Sequence, residues 1–250
     1  MGRRPLDRAV RSGTHGARPV TVEEASRGYR SGPATASAPH PVPGVYENTG
    51  SGTERLTLPP LSQPEGPSLP GTVELGADGC WRFRIDYSTN HWQTWTYCWH
   101  SAGLEEAEGQ TWQKWLVGPV AITNLSTLHC DPGSMALPAT GSAGQTWPAR
   151  CVGSSTAVSG AAATAGPYRF VGEETLAVGG IRVRAAHFLR VRAMTGSQQG
   201  PEHSDVWFDD QTGLPIENRR RIEVRTDTAF GSSTYTETGS LILRSLTSVR

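Results

Sequence analysis

Four cysteines and the histidines beside two of them are the residues here whose types and spacing point most directly to chemistry. Cys98 and His100 stand in "CWH", and His129 and Cys130 in "HC", which makes a zinc-like set of two thiols and two imidazoles. Zinc knuckles space their paired ligands roughly two to five residues apart, and these pairs are too tight for that. The expected metal ligands are therefore none. Oxidation of the thiols is the better reading, with Cys80 bonded to Cys98 and Cys130 to Cys151. Two disulfides imply an oxidising compartment, so the expected location is extracellular or the cell envelope. Arg3-Arg4 is not followed by the apolar run of an export signal, so export implies a leader outside the sequence in hand.

Other candidate chemistry is thin. His187 falls in an apolar strand pattern, where a satisfied core histidine is expected. Glu173, Glu174, Asp205, Asp209 and Asp210 could supply a carboxylate pair for glycoside cleavage. Asp209-Asp210 fits better as turn chemistry ahead of Gly213. Arg182, Arg184, Arg190 and Arg192 alternate along one strand, which reads as an exposed face with partners such as Glu217 and Glu223. No G-x-S-x-G, phosphate-binding loop or H-E-x-x-H occurs. The expectation is a protein that is not an enzyme and takes no cofactor. Its 23 basic and 23 acidic residues give zero net charge, which argues against nucleic acid as a partner.

The elements that position these residues are strands. Residues 1–43 mix Gly, Pro, Ala, Ser and Arg without periodicity and are expected to be disordered. Residues 44–250 read as a single all-β domain, with Gly, Pro, Ser, Thr and Asn punctuating short alternating runs. A short helical turn is expected where Trp112, Trp115 and Leu116 recur in "TWQKWLVG". The small-residue stretch from Ser154 to Gly166 is expected to be a loop dividing two halves.

Within "GCWRFRIDYSTNHWQTWTYCWH" a three-residue loop Ser88-Thr89-Asn90 predicts a hairpin. That register sets Cys80 opposite Cys98, Trp81 opposite Tyr97 and Phe83 opposite Trp95, and selects the disulfide pairing given above. The aromatic face of this hairpin is expected to be core rather than a stacking platform. Further along, Gly179-Gly180 predicts a second hairpin pairing Leu176 with Val183 and Val171 with Phe188. Three more strands follow, making an antiparallel meander.

"DVWFDDQTGLPIENRRR" resembles the strand–turn–strand element of the LolA-type fold of lipoprotein carriers and sensors. The wider pattern, from "PGVYENTGSG" through "GEETLAVGGIRVRAAH", resembles an uncharacterised family of actinobacterial exported proteins. The resemblance implies a curved antiparallel sheet, half-barrel or sandwich-like, with little helix and a concave face able to hold an apolar group. It transfers no functional residue. The function expected is a non-enzymatic envelope protein binding an apolar ligand or lipid there, with an envelope protein as a further partner. The alternatives are a protein-interaction module or a hydrolase with an unrecognised site.

Overall fold

The structure, a computed structural model, describes residues 16–30, 39–76, 79–228 and 231–249. Among these lie one helix, α1 (Val22–Gly28), and strands β1 (Gly44–Tyr46), β2 (Asn48–Leu56), β3 (Leu61–Glu65), β4 (Gly71–Leu75) and β5 (Cys80–Ser88). They continue with β6 (His91–His100), β7 (Gly103–Val117), β8 (Val120–Cys130), β9 (Met135–Pro138) and β10 (Thr146–Ser155). The last are β11 (Ala161–Val178), β12 (Ile181–Gly196), β13 (Gly200–Asp209), β14 (Pro215–Thr228) and β15 (Gly231–Leu243).

The fold is all-β, as the turn-punctuated alternation implies. One antiparallel sheet takes the order β1-β4-β5-β6-β7-β8-β10-β11-β12-β13-β14-β15-β2-β3, with β9 beside β7. Glu47 alone separates β1 from β2, yet these strands stand near opposite ends of that order. One residue spans only about 3.6 Å, so the sheet must roll until its ends meet. It does not close into a barrel, because β1 pairs with β4 and β3 pairs with β2, leaving a seam. Backbone bonds from Leu69 to Asn48 and from Gly66 to Tyr87 stitch that seam locally.

The first hairpin has the expected register, with Trp81 opposite Tyr97 and Phe83 opposite Trp95. Its aromatic face is core: Trp81, Phe83, Ile85 and Tyr97 are almost fully buried. Tyr97 meets Phe208 edge-on at 6.0 Å, and Phe208 in turn meets Phe188 at 6.2 Å. This aromatic mass fills one end of the roll, each such side chain contributing about 1.5–3 kcal/mol on burial. Cys80–Cys98 and Cys130–Cys151 are disulfide-bonded between directly opposed strand positions, with Cα separations of 4.0 and 3.8 Å.

Several local expectations change. Trp112, Trp115 and Leu116 lie in strand β7, because pairing with β8 from Glu108 to Val117 overrides their helical spacing. The connection between β10 and β11 is only residues 156–160, since Ala161 to Ala163 pair with Ser154 to Val152. Ser88 pairs with His91, so the first hairpin turns through Thr89 and Asn90 with a bulge before Ser88. Part of the expected disordered segment is structured. Thr21 and Glu24 form a capping box on α1; the Thr89 N–H donates to the Arg18 carbonyl and the Arg18 N–H to the Thr89 hydroxyl. The rest of the 1–43 expectation, residues 1–15 and 31–38, lies outside the described residues.

A bulge at Val171 also shifts the second hairpin. Leu176 faces Val183 as expected, but Phe188 faces Phe170. Ala185 and Ala186 are both buried, so the alternation of β12 changes phase between them. The four arginines are thereby divided. Arg182 and Arg184 are exposed, whereas Arg190 is buried and Arg192 partly so.

Candidate functional site: a charged band in the concave face

Opposed residues of an antiparallel ladder share a face, so the register maps the concave surface row by row. Phe170, Phe188, Val206, Asn218 and Leu241 form a row that belongs to the packed end. Two residues further along each strand lies Tyr168–Arg190–Ser204–Arg220–Gly239–Gly52–Glu65. The next row is Arg192–Glu202–Ile222–Glu237–Glu54–Gln63. Beyond it polarity falls again, with Val224–Tyr235–Leu56–Leu61 and, across the face, Met194. Two charged rows thus lie between an aromatic floor and an apolar rim.

Gly52 and Gly239 explain how a carboxylate and a guanidinium fit between them. A Cβ on Gly52 would come 2.1 Å from Glu65 Oε2, and one on Gly239 would come 2.8 Å from the same atom and 3.3 Å from Arg220. Bare backbone at both positions makes the room.

Two ion-pair clusters occupy the band. In the first, Arg220 Nη2 donates to both carboxylate oxygens of Glu65 (3.0 and 2.9 Å) while its Nε donates to Glu237. His91 Nδ1 lies 3.1 Å from Glu65 and 3.2 Å from Glu54, reaching across the seam from β6. Gln63 and Gln113 each donate to Glu54 at 2.6 Å, and Tyr235 donates to Glu54 and Glu237. Glu54, Glu65, His91, Arg220 and Glu237 are all buried. In the second cluster, Glu106 of β7 receives Tyr168 at 3.0 Å and both Arg190 and Arg192 at 3.4 Å. Arg192 also grips Glu202 at 2.5 Å.

Burial alone depresses the His91 pKa, but the charge of Glu54, the hydrogen bond that the imidazole donates to Glu65 and the charge of Glu237 outweigh it and raise it to about 9. Burial raises the Glu54 pKa, with His91 opposing and Glu237 and Glu65 adding to the rise. Glu54 and Glu237 stand directly opposite, a like-charge arrangement that strands otherwise avoid. Glu65 goes the other way: burial raises it, and Arg220 with His91 more than offsets that.

Glu54, Glu65, His91 and Glu237 offer ligand atoms within 4.8 Å of one another, a set of the kind that could hold a metal. Every carboxylate oxygen in the set already has a protein partner, and Arg220 supplies the opposing charge. The ligands of the discarded zinc reading are apart from this cluster: His100 nears Glu105 at 4.0 Å and His129 nears Glu108 at 3.2 Å.

Beside the band lies an open-mouthed cavity of about 340 Å³. Its rim carries Leu56, Leu58, Ile122, Leu128 and Met194, and its depth reaches Arg190, Arg220 and Glu237. Leu58 and Ile122 are 44% and 43% exposed, large apolar side chains left at the mouth.

The residues singled out from sequence lie elsewhere. His187 is half-buried rather than core, bonded to Glu174 at 2.9 Å and Asp205 at 2.8 Å and stacked on Trp207 at 4.0 Å. Glu173 and Asp210 pair with Arg184. Asp209 accepts from Thr212 and Gln211, and its carbonyl accepts from Gly213, which is the expected turn. These carboxylates do not converge on the cavity. Glu54, Glu65, His91, Glu106, Arg220 and Glu237 went unmarked in the sequence. The usable signal was "GSGTE", where alternation sets Gly50, Gly52 and Glu54 on one face.

No family model matches this chain. No curated protein matches it either. Among solved structures it is similar to the hypothetical lipoprotein YmcC from Escherichia coli (K12), at 14% identity and a TM-score of 0.34, over 90% of this chain and 98% of that one. A likeness at that level carries nothing about function.

Proposed function

We propose that this protein is a non-enzymatic, exported envelope protein that holds an apolar or lipid ligand in the concave face of its rolled sheet, in the manner of LolA-type carriers. The observation that carries the reading is the cavity of about 340 Å³, which the aromatic core leaves unfilled and which opens through an apolar rim. Its volume sits at the lower end of the roughly 300–1,000 Å³ typical of small-molecule sites. Two disulfides support an oxidising compartment. Mass spectrometry of organic extracts from protein purified without detergent tests the proposal. A stoichiometric lipid that is lost when Met194→Arg blocks the cavity is expected. Protein that carries no lipid and binds no fluorescent fatty acid leaves the interaction-module reading in its place.

A further inference from the structure

We propose that the loops around the cavity mouth form a surface that seats the protein on an electrically neutral lipid bilayer. Four described loops border the mouth: residues 57–60, 117–122, 156–160 and 196–200. None contains Asp, Glu, Lys, Arg or His. Turns at the opposite end of the roll, by contrast, carry Asp131 and Asp210.

What these loops present is aliphatic. Leu58, Val120 and Ile122 are 44%, 58% and 43% exposed. Val120 pairs with Val117 at the tip of the β7–β8 hairpin, where a Cβ on Gly118 would meet nothing within 4 Å, so the tip stands clear of the body. Single exposed aliphatic residues are ordinary, but three of them framing one apolar mouth make a patch.

The loop backbone suits the same medium. A peptide N–H that enters lipid without a partner is strongly penalised. Pro59, Pro60 and Pro119 have no N–H to leave unpaired. The N–H groups of Thr57, Thr156, Ser197 and Gln199 donate back to the carbonyls of Thr234, Leu125, Ala161 and Arg225. Those of Leu58 and Ala157 donate to the side chains of Ser233 and Asn124.

A protein partner fits this surface less well. Protein contacts concentrate their binding energy in Trp, Tyr and Arg, and the four loops contain none of these. The lack of cations equally removes any attraction to anionic lipid. A neutral bilayer asks only for apolar surface. On the carrier reading, an apolar ligand then passes between cavity and bilayer without crossing water.

The test is co-sedimentation of the full chain with phosphatidylcholine vesicles and with mixed phosphatidylcholine–phosphatidylglycerol vesicles, a fluorescent fatty acid being titrated in parallel. Binding to both vesicles is expected, with affinities that agree and resist added salt to within about twofold. Val120 does not line the cavity, so Val120→Asp is expected to leave fatty-acid binding unchanged. The same variant is expected to weaken vesicle binding at least about tenfold, a difference near 1.4 kcal/mol. Ile181→Asp, at a residue 57% exposed beside the Gly179-Gly180 turn, is the control and is expected to change neither. Vesicle binding that survives Val120→Asp overturns the docking surface, as does binding confined to the anionic vesicles and lost in salt. Binding to neither vesicle overturns it as well and leaves the rim to a protein partner; fatty-acid binding that persists keeps the carrier reading standing. Vesicle binding as expected without fatty-acid binding supports the surface and removes the carrier reading instead.

Discussion

At the scale of single residues, His91 carries the clearest consequence. Its imidazole is wholly buried against Glu54 of β2, Glu65 of β3 and Glu237 of β15, with the Tyr87 ring of β5 at 4.8 Å. A folded pKa raised from about 6.5 to about 9 means that the folded state holds the proton more tightly than the unfolded chain. The stabilisation is fully present below about pH 6.5 and is lost as pH rises through about 9. Urea unfolding between those limits is therefore expected to show stability falling by a few kcal/mol, with His91→Gln flattening the decline. A pH-independent wild-type midpoint across that window would show that the imidazole is not charged in the fold. Arg220 shares the reasoning without titrating, because its neighbours hold its pKa well above the ordinary arginine value despite burial.

At the scale of elements, β2 shows how a strand gives up side chains to admit its neighbours' charges. Gly52 lies directly opposite both Gly239 and Glu65. A methyl at Gly52 would lie 2.1 Å from Glu65 Oε2 and 2.7 Å from the Thr238 carbonyl, and the backbone atom cannot swing away. Gly52→Ala is expected to cost about 1–3 kcal/mol through overpacking, read as a lower denaturant midpoint. Gly109→Ala is the control, because its nearest neighbour would be 3.9 Å away. A Gly52→Ala protein as stable as that control would mean the charged row is looser than the packing implies. The β11–β12 hairpin shows another device: Gly179 and Gly180 both adopt positive φ, 57° and 82°, and turn the chain directly between long strands.

At the scale of the whole molecule, the rolled sheet has two unlike regions. β11 to β14 are each paired on both sides, while β3 ends the sheet order and β1 stands at its other end. The seam beside β3 is spanned mainly by side chains, with Asn90 donating to Gln63 at 3.3 Å and His91 facing Glu65. Native-state hydrogen exchange is expected to show amides of β3 opening well below the global unfolding free energy, and those of β12 and β13 only with it. Uniform protection from β3 to β13 would mean that the seam is as cooperative as the ladder.

The sequence by itself determined the all-β class, the first hairpin's register with Cys80 opposite Cys98, which left Cys130 for Cys151, the Gly179-Gly180 turn, and the meander from β11 to β15. All of these follow from local spacing and turn chemistry, which act within a few residues of one another. Only the tertiary structure decided which face of β12 each arginine would occupy. The extra residue at Val171 and the phase change at Ala185-Ala186 send Arg190 and Arg192 inward, and a one-residue slip in a strand moves a side chain to the opposite face. Tertiary structure alone also assembled the charged band. Glu65 and Arg220 lie 155 residues apart in the chain, as Glu106 and Arg190 lie 84 apart, and no local pattern relates them. Glu65 and Arg220 meet along one row of the ladder across Gly239 and Gly52, and Glu106 reaches Arg190 across the concave face; buried charges persist only where such partners converge.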